Sequence, residues 1–325
     1  MGKEFDVVAL GELLIDFTQN SISEQGNTLF ECNPGGAPCN VLAFLQKMGK
    51  KTAFIGKVGE DMFGRLLQER VSKEGVDLSG LVMSDAVNTT LAFVKTFEDG
   101  DRDFSFYRNP GADMSLKEDE VKVELIQNAK IFHFGTLSMT HEGVEKATIK
   151  AIEKAKEAGC LLSFDPNLRE PLWSSLNKAK EKIAYGMSQC DILKISDNEI
   201  EFMTGESDIE KGMQILIEKY QPKIAFATLG KAGSIAFYKG MKVYETGMEN
   251  PDTVETTGAG DTFMGASLNY ILEHGLESLS EDDLHQMLHF ANAAASLITT
   301  KKGALCVMPT REDVEGYIKK KCSTK

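Results

Sequence analysis

A ten-residue run near position 260 combines glycines with a carboxylate and can do chemistry on a phosphate. The run reads V-E-T-T-G-A-G-D-T-F, and an apolar period begins at its last residue, Phe263, which predicts a loop that opens a helix. Gly258, Ala259 and Gly260 would turn backbone N–H groups inward, and the helix N-terminus would add a partial positive charge. Together these features predict an anion site suited to a phosphoryl group.

Asp261 stands at the edge of this predicted anion site. A carboxylate repels a bound phosphate, so its position calls for a chemical reason. One reason would be to take the proton from a hydroxyl that attacks the phosphorus. The simpler alternative is a helix-capping aspartate beside an ordinary glycine turn.

The composition narrows the choice of partners. The 325 residues are 42% hydrophobic and 26% charged, with a formal net charge of −13 and a pI near 5.0. This acidic balance argues against nucleic acid and anionic membranes as partners. A phosphorylated ligand would therefore have to be held by local cations and backbone N–H groups.

Nothing in the sequence indicates export or membrane insertion. The start M-G-K-E-F-D carries no apolar signal core, and no apolar run approaches the roughly 18 residues that a spanning helix needs. The six cysteines include no C-x-x-C pair, so we interpret them as reduced thiols. A cytoplasmic location is expected.

Short apolar runs alternate with helical stripes along most of the chain, which predicts a parallel sheet covered by helices on both faces. Between residues 88 and 108 the period becomes two, and Asp99-Gly100 gives a hairpin signal. A second β-like stretch at about 12–33 would pair with this hairpin. The prediction is one α/β domain over residues 1–325, with a small antiparallel lid from about 12–33 and 88–110.

Several familiar signatures are missing. The chain contains no G-x-x-x-x-G-K-[ST], no G-x-G-x-x-G, no protein-kinase H-R-D and D-F-G set, and no zinc motif. His285 and His289 have helical i, i+4 spacing on a polar stretch, which we interpret as incidental.

Three further segments carry polar residues in suggestive places. N-P-G-G-A-P-C-N places a glycine pair before a helix, with Asn40 in its first turn. S-D-N-E-I-E-F-M-T-G places Asn198 and Glu201 on one helix face; the ordinary alternative is a helix start capped by Ser196 or Asp197 with acidic residues in its first turn. Arg108 and Arg169 follow predicted strands, and arginine forks suit phosphate and oxygen pairs.

These segments together resemble the ribokinase-like (PfkB) carbohydrate kinases, over essentially the whole chain. Y-R-N-P-G-A-D and D-P-N-L-R-x-P-L-W, at positions 107–113 and 165–173, are typical of the fructokinase branch. The resemblance implies a three-layer core with a mainly parallel sheet and a small β lid. It also implies a sugar-binding set, with the arginines facing the sugar or the transferred phosphate: Asp16, Gly35, Gly36, Asn40, Arg108 and Arg169.

The same resemblance implies sites for the nucleotide and for metal ions. The nucleotide set would be Lys194, Asn198, Thr228, Gly230, Gly233, Gly258, Gly260 and Asn292. Glu201 would meet Mg²⁺ through water, and Glu255 and Thr257 would border a monovalent cation such as K⁺. The family often has V-D-T-T-G where this chain has Val254-Glu255, and the longer side chain would alter that cation site.

The reaction implied is transfer of the γ-phosphoryl group of ATP to a primary sugar hydroxyl, with D-fructose giving fructose 6-phosphate. Asp261 would be the general base and the backbone of residues 258–260 the anion hole, while the helix N-terminus would lower the pKa of Asp261. The alternatives are a 2-keto-3-deoxygluconate kinase, another PfkB sugar kinase, or a catalytically silent sugar sensor. The aromatic lid also predicts a homodimer.

Overall fold

A computed structural model describes residues 2–96 and 102–322, which form a large and a small sheet with helices around the large one. The predicted Asp99-Gly100 turn lies outside the described residues. The strands are β1 (Phe5–Leu10), β2 (Leu14–Ile22), β3 (Thr28–Gly35), β4 (Thr52–Gly59), β5 (Asp77–Ser84), β6 (Leu91–Thr96), β7 (Arg102–Tyr107), β8 (Ala129–Gly135), β9 (Leu161–Asp165), β10 (Ile192–Ser196), β11 (Ile224–Thr228), β12 (Gly233–Tyr238) and β13 (Met241–Thr246).

The helices follow the apolar stripes of the sequence. They are α1 (Ala37–Lys47), α2 (Met62–Lys73), α3 (Val123–Gln127), α4 (Glu142–Glu157), α5 (Leu176–Gln189), α6 (Asp197–Thr204), α7 (Ile209–Tyr220), α8 (Ala259–His274), α9 (Glu281–Ile298) and α10 (Arg311–Cys322). Across residues 2–96 and 102–322, every helix is too short or too polar to cross a lipid bilayer. All six cysteines are free.

The large sheet confirms the predicted α/β class. Its order is β13-β12-β11-β10-β9-β8-β1-β4-β5. In this order all neighbours from β11 to β5 pair in parallel, whereas β12 pairs antiparallel with both β11 and β13. Along β1, Val7 and Ala9 pack into one apolar core and Val8 and Leu10 into another. Side chains alternate across a strand, so this sheet is covered on both faces and forms the middle of three layers.

The small sheet has the order β3-β2-β6-β7, so the two segments predicted to form the lid do pair. The β2–β3 and β6–β7 pairs are antiparallel, but β2 and β6 run parallel, with Phe17 opposite Phe93. The lid is therefore mainly antiparallel, as predicted, with one parallel pair where β2 meets β6. Asp16, Thr18, Val94 and Phe106 put one of its faces over a cavity.

Candidate active site

A cavity of about 510 Å³ lies at the carboxyl edge of the parallel strands, under the small sheet. Strands β9 and β10 and the loop after β1 end there, which is where open α/β sheets bind ligands. The helices α1, α6 and α8 begin at the same edge. Among the residues predicted for the site, the cavity is lined by Asp16, Gly36, Asn40, Arg169, Lys194, Asn198, Glu255, Thr257, Gly258, Gly260 and Asp261.

Helix α8 begins as the sequence predicted. Gly258 is the N-cap residue with φ +81°, and a Cβ there would lie 2.6 Å from the Cβ of Ala304. Glycine is therefore required both by backbone conformation and by space. The N–H of Ala259 donates to the carbonyl of Thr256 at 3.3 Å, a long hydrogen bond. The opening turn faces the cavity with the partial positive charge of a helix N-terminus.

Asp261 lies in the first turn of α8, half-buried, and its Oδ2 accepts a hydrogen bond of 2.8 Å from Asn40 Nδ2. Burial, together with the negative charge of Asp165, raises the pKa of Asp261 to about 6, against the opposing effects of Asn40, Lys194 and Arg169. The expectation that the helix N-terminus would lower this pKa is wrong, because loss of hydration outweighs the helix dipole. The raised pKa makes Asp261 a stronger base while leaving it ionised at neutral pH.

The glycine pair before α1 has steric reasons to be glycine. A Cβ on Gly35 would overlap Oδ2 of Asp16, and a Cβ on Gly36, which has φ +130°, would overlap the carbonyl oxygen of Glu12. Asp16 and the start of α1 therefore approach each other closely at the cavity. Burial raises the pKa of Asp16 to about 7; Arg169 opposes this, while Glu255 and Asp261 add to it.

Asn40 connects α1 to α8. The residue is 3% exposed, and its Oδ1 has no hydrogen-bond partner among the described residues. A buried acceptor without a donor is costly, so the cavity offers a place for a ligand hydroxyl. Asn40 and Asp261 are 221 residues apart in the sequence, so the hydrogen bond between them could not be inferred from sequence spacing.

Lys194 is the buried cation of the site. Its Nζ donates to Oδ2 of Asp165 at 2.9 Å, and a Cβ on Gly260 would lie 3.0 Å from the same Nζ. Burial alone would lower the pKa of Lys194, yet the charges of Asp165 and Glu199 hold it above its ordinary value. The ammonium group therefore stays charged beside the first turn of α8.

Sequence reasoning did not single out Asp165, Glu12 or Glu199, all of which are buried at this edge. Asp165 ends β9 in the D-P-N run, and Glu12 follows β1, so an acidic residue directly after an apolar strand was the available signal. Glu199 accepts from the backbone N–H of Leu168 and Ser196, at 2.7 and 2.9 Å.

Arg108 does not reach the cavity. The side chain is buried, and its guanidinium pairs with Asp113 at 2.6 Å and donates to Thr140 Oγ1 and to the carbonyl of Leu137. It therefore supports the wall of the site from behind. Arg169, in contrast, is exposed at the cavity mouth.

Glu201 is exposed and lies outside the cavity lining, whereas Asn198 and Glu199 line it. The spacing that suggested Glu201 places it on the solvent side of α6. Glu199, the N3 residue of the α6 capping box, is the acid that turns inward.

Four of the residues predicted to bind the nucleotide lie outside the lining of the cavity. Thr228, Gly230, Gly233 and Asn292 are absent from its lining. Asn292 accepts from Ser234 Oγ at 2.9 Å and donates to the carbonyl of Glu245 at 3.1 Å. Its amide therefore ties α9 to β12 and β13.

Glu255 and Thr257 are brought together, as the cation interpretation requires. Thr257 Oγ1 donates to Glu255 Oε1 at 2.7 Å, and the N–H of Gly303 lies 3.4 Å from Oε2. The carboxylate thus joins the loop before α8 to the loop after α9.

Comparison with known proteins identifies relatives along the whole chain. The family model described as pfkB family carbohydrate kinase matches residues 4–311. A probable fructokinase-2 from Arabidopsis thaliana is 42% identical over 96% of this chain and 95% of its own length. Fructokinase-1 from Zea mays is 41% identical over 98% and 99% of the two chains.

Solved structures have the same fold. Fructokinase from Xylella fastidiosa with bound ATP superposes with a TM-score of 0.88 at 26% identity, covering 98% of this chain and 99% of that one. A putative ribokinase II from E. coli in complex with ATP and Mg²⁺ superposes with a TM-score of 0.85 at 25% identity, covering 97% of this chain and 99% of that one. A fructokinase double mutant from Vibrio cholerae O395, bound to fructose, ADP and potassium, superposes with a TM-score of 0.86 at 27% identity, covering 98% of this chain and 99% of that one.

Proposed function

We propose that this chain, which belongs to the pfkB family of carbohydrate kinases, phosphorylates D-fructose to fructose 6-phosphate. Family membership makes it an ATP-dependent sugar kinase, and the proposal concerns the sugar and the residue roles. The observation that carries it is the bond between Asn40 and Asp261 at the opening turn of α8. It brings an amide, a carboxylate and a helix N-terminus together in one cavity, which supports roles for them in binding a hydroxyl, taking its proton and holding an anion.

The sugar would lie between the lid and the start of α1. Asn40 Oδ1, buried without a donor, would accept from one hydroxyl. The Asp16 carboxylate would accept from two neighbouring hydroxyls, which suits a polyol. The backbone at Gly35 and Gly36 would let the ring approach closely, since any side chain there would collide with Asp16 or Glu12.

Phosphoryl transfer would use Asp261, Lys194 and the start of α8. The attacking sugar oxygen forms a bond to the γ-phosphorus, the bond from that phosphorus to the ADP oxygen breaks, and the hydroxyl proton passes to Asp261. The N–H groups of residues 258–260 and the ammonium of Lys194 would stabilise charge on the transferred group. Because such transition states are largely dissociative, holding the hydroxyl in line matters as much as removing its proton.

The divalent cation would arrive with ATP. Within the described residues, no cluster of three or more His, Cys, Asp or Glu could hold a metal ion, which suits Mg²⁺ bound mainly by phosphates and water. When bound, the ion neutralises charge on the β- and γ-phosphates. We assign the water-mediated contact to Glu199, which lines the cavity, in preference to Glu201; Thr228, Gly230, Gly233 and Asn292 remain predictions for the rest of ATP.

The monovalent-cation site remains a prediction at Glu255 and Thr257. The Glu255 carboxylate already links Thr257 to Gly303, so a cation would have to share its oxygens. Replacing KCl by tetramethylammonium chloride at constant ionic strength tests this. A lower kcat in tetramethylammonium chloride than in KCl would support a K⁺ site, and an unchanged kcat would refute it.

The cavity charge favours a neutral sugar over an acid. Two cations, Arg169 and Lys194, line it against six carboxylate residues, and Arg108 is committed to Asp113. The carboxylate of 2-keto-3-deoxygluconate would therefore meet more carboxyl groups than cations, even though their raised pKa values leave Glu12 and Asp16 partly protonated at neutral pH. The six acids are Glu12, Asp16, Glu170, Glu199, Glu255 and Asp261.

A sugar panel tests the assignment. Coupled ADP release should give the highest kcat/KM for D-fructose among fructose, ribose and 2-keto-3-deoxygluconate. A higher value for the keto-acid would overturn the fructose assignment and leave the kinase standing. Sugar binding without any ADP release would instead support the silent sensor.

The homodimer is proposed through the outer face of the lid. Phe17, Phe93, Phe30 and Tyr107 form one aromatic cluster there, with ring centroids 4.9–5.4 Å apart from Phe93, and Phe30 and Tyr107 are 41% and 64% exposed. Exposed apolar clusters of this kind mark interaction surfaces. Sedimentation at micromolar concentration should show a dimer that Phe30→Ser weakens and Ile215→Ser, an exposed change on α7, does not. A wild-type monomer would refute it.

A further inference from the structure

A second, small cavity lies behind the candidate active site. Its volume is about 10 Å³, and its polar lining comes from Glu12, His133, Thr136, Asp165 and Asn167. A space of this size holds about one water molecule, provided that polar partners surround it. Glu12 also lines the large cavity, whereas Asp165 and His133 line only the small one.

Asp165 has one satisfied and one unsatisfied oxygen. Its side chain is 4% exposed; Oδ2 accepts from Lys194, and Oδ1 has no partner among the described residues. A buried carboxylate oxygen without a donor is strongly disfavoured. A donor absent from the protein itself therefore belongs beside Oδ1.

Neither of the two neighbouring basic residues, His133 and Lys194, places a charged donor on Oδ1 of Asp165. His133 is bonded to Ser163 through Nδ1 at 2.9 Å, and burial, reinforced by the Lys194 charge, lowers its pKa to about 3, so the ring is neutral. Lys194 is already engaged on the other oxygen. Of the other polar side chains that line the cavity, Thr136 already donates its hydroxyl to the carbonyl of Pro166, and Glu12 supplies the second carboxyl beside that of Asp165.

Glu12 is buried and anchored at one oxygen. Its Oε1 accepts from the N–H of Ala37 at 2.8 Å, at the start of α1. Burial, only partly offset by backbone hydrogen bonds, raises the pKa of Glu12 to about 7, so the carboxyl carries a proton much of the time at neutral pH. A protonated carboxyl can donate as well as accept.

We propose that one water molecule fills the small cavity, donates to Oδ1 of Asp165 and is held by the carboxyl of Glu12, which makes Glu12 a positioning residue. The water fixes the Asp165 rotamer, and Asp165 in turn fixes the ammonium of Lys194 against the Gly260 turn. Glu12 also holds the α1 end that carries Asn40. One carboxyl thereby couples the sugar side of the site to its phosphate side, and only this catalytic consequence rests on the proposed function.

A high-resolution crystal structure of the wild-type protein tests the water directly. We expect an ordered water within hydrogen-bonding distance of both Asp165 Oδ1 and the Glu12 carboxyl. An empty cavity, or a water that contacts Asp165 without Glu12, overturns the proposal. This result does not depend on which sugar the protein phosphorylates, or on whether it phosphorylates any.

A double-mutant cycle tests the coupling. Glu12→Gln keeps the length and the acceptor for Ala37, whereas Glu12→Met removes both polar atoms. We expect Glu12→Met to lower kcat/KM for ATP about tenfold and Glu12→Gln to recover most of that loss. With Asp165→Asn already present, Glu12→Met should cause little further loss.

Independent, additive losses in that cycle would mean that Glu12 does not act through Asp165. Thermal unfolding of each variant separates a general loss of stability from the effect on ATP. A parallel rise in the KM for sugar, without coupling to Asp165, would assign Glu12 to helix capping alone. If Asp165→Asn does not fold, the crystallographic result decides by itself.

Discussion

Replacing Asp261 by asparagine should make the protein more stable and far less active. The amide has the size of the carboxylate, and its oxygen can still accept from Asn40 Nδ2, the 2.8 Å bond of the native site. The substitution removes a buried, poorly hydrated negative charge that lies near the carboxylate of Asp165. The two effects are separable because one concerns folding and the other the transfer of a proton.

The size of the stability change follows from the pKa of Asp261, which burial raises from 3.8 to about 6. Each unit corresponds to about 1.36 kcal/mol, so ionising this group disfavours the native state by about 3 kcal/mol. A group with a raised folded pKa contributes its stability below the unfolded pKa and loses it as the pH rises through the folded pKa. The asparagine variant should therefore gain up to about 3 kcal/mol at pH 8 and almost nothing near pH 4.

The activity should change in the opposite direction. Loss of a general base lowers kcat by about 10² to 10⁴, while sugar affinity is largely kept because Asp16, Gly36 and Asn40 are untouched. Coupled ADP release at saturating substrates measures kcat. Urea unfolding of the unliganded protein at two pH values measures stability.

Asp61→Asn is a matched control at another helix start. Although burial opposes it, the N–H groups of Thr89, Gly64 and Phe63 lower the pKa of Asp61, so this variant should lose stability and keep kcat. Near-native kcat in Asp261→Asn would remove Asp261 as the base. A less stable Asp261→Asn at pH 8 would refute the burial argument.

Three other outcomes follow from the same site. For the wild type, kcat/KM should fall as the pH drops below about 6 and Asp261 gains a proton; a pH profile flat to about pH 4.5 would contradict this. Glu199→Gln should raise the Mg²⁺ concentration needed for half-maximal rate, whereas Glu201→Gln, its exposed control, should not; equal effects in a Mg²⁺ titration would count against Glu199. Arg169→Ala should lower kcat for fructose by about tenfold or more and change KM less; steady-state kinetics showing a change in KM alone would place Arg169 in ground-state binding.

Much of the fold was predictable because buried parallel strands are continuous apolar runs. The runs at 7–10, 131–134, 161–164 and 224–228 all became strands, and the stripe of α4 packs into the core through Val144, Ala147, Ala151 and Ala155. The spacing of apolar residues along the sequence is enough to distinguish such strands and helices. The parallel pairing of β2 with β6 was not predictable in the same way, because it joins segments that reach the lid by separate connections.

The site was predictable in its residue types but less so in its contacts. Asn40 meets Asp261 because α1 packs on α8, where a Cβ on Gly265 would lie 2.8 Å from a ring carbon of Phe44. Motif spacing supplies neither that packing nor the pairing of Asp165 with Lys194. Arg108 illustrates the converse, since an arginine after a strand is equally suited to a buried pair with Asp113.

The pKa of Asp261 shows why the remaining error arose. Sequence position reveals the helix N-terminus, whose partial charge stabilises a carboxylate by at most about 2 kcal/mol. Burial and the nearby carboxylate of Asp165 act in the opposite direction, and loss of hydration can shift a buried carboxyl by several units. Asp165 is close only because β9 ends beside α8 in the folded chain. The contacts that oppose the local argument leave Asp261 ionised at neutral pH and more basic than an exposed aspartate, as the proposed role of general base requires.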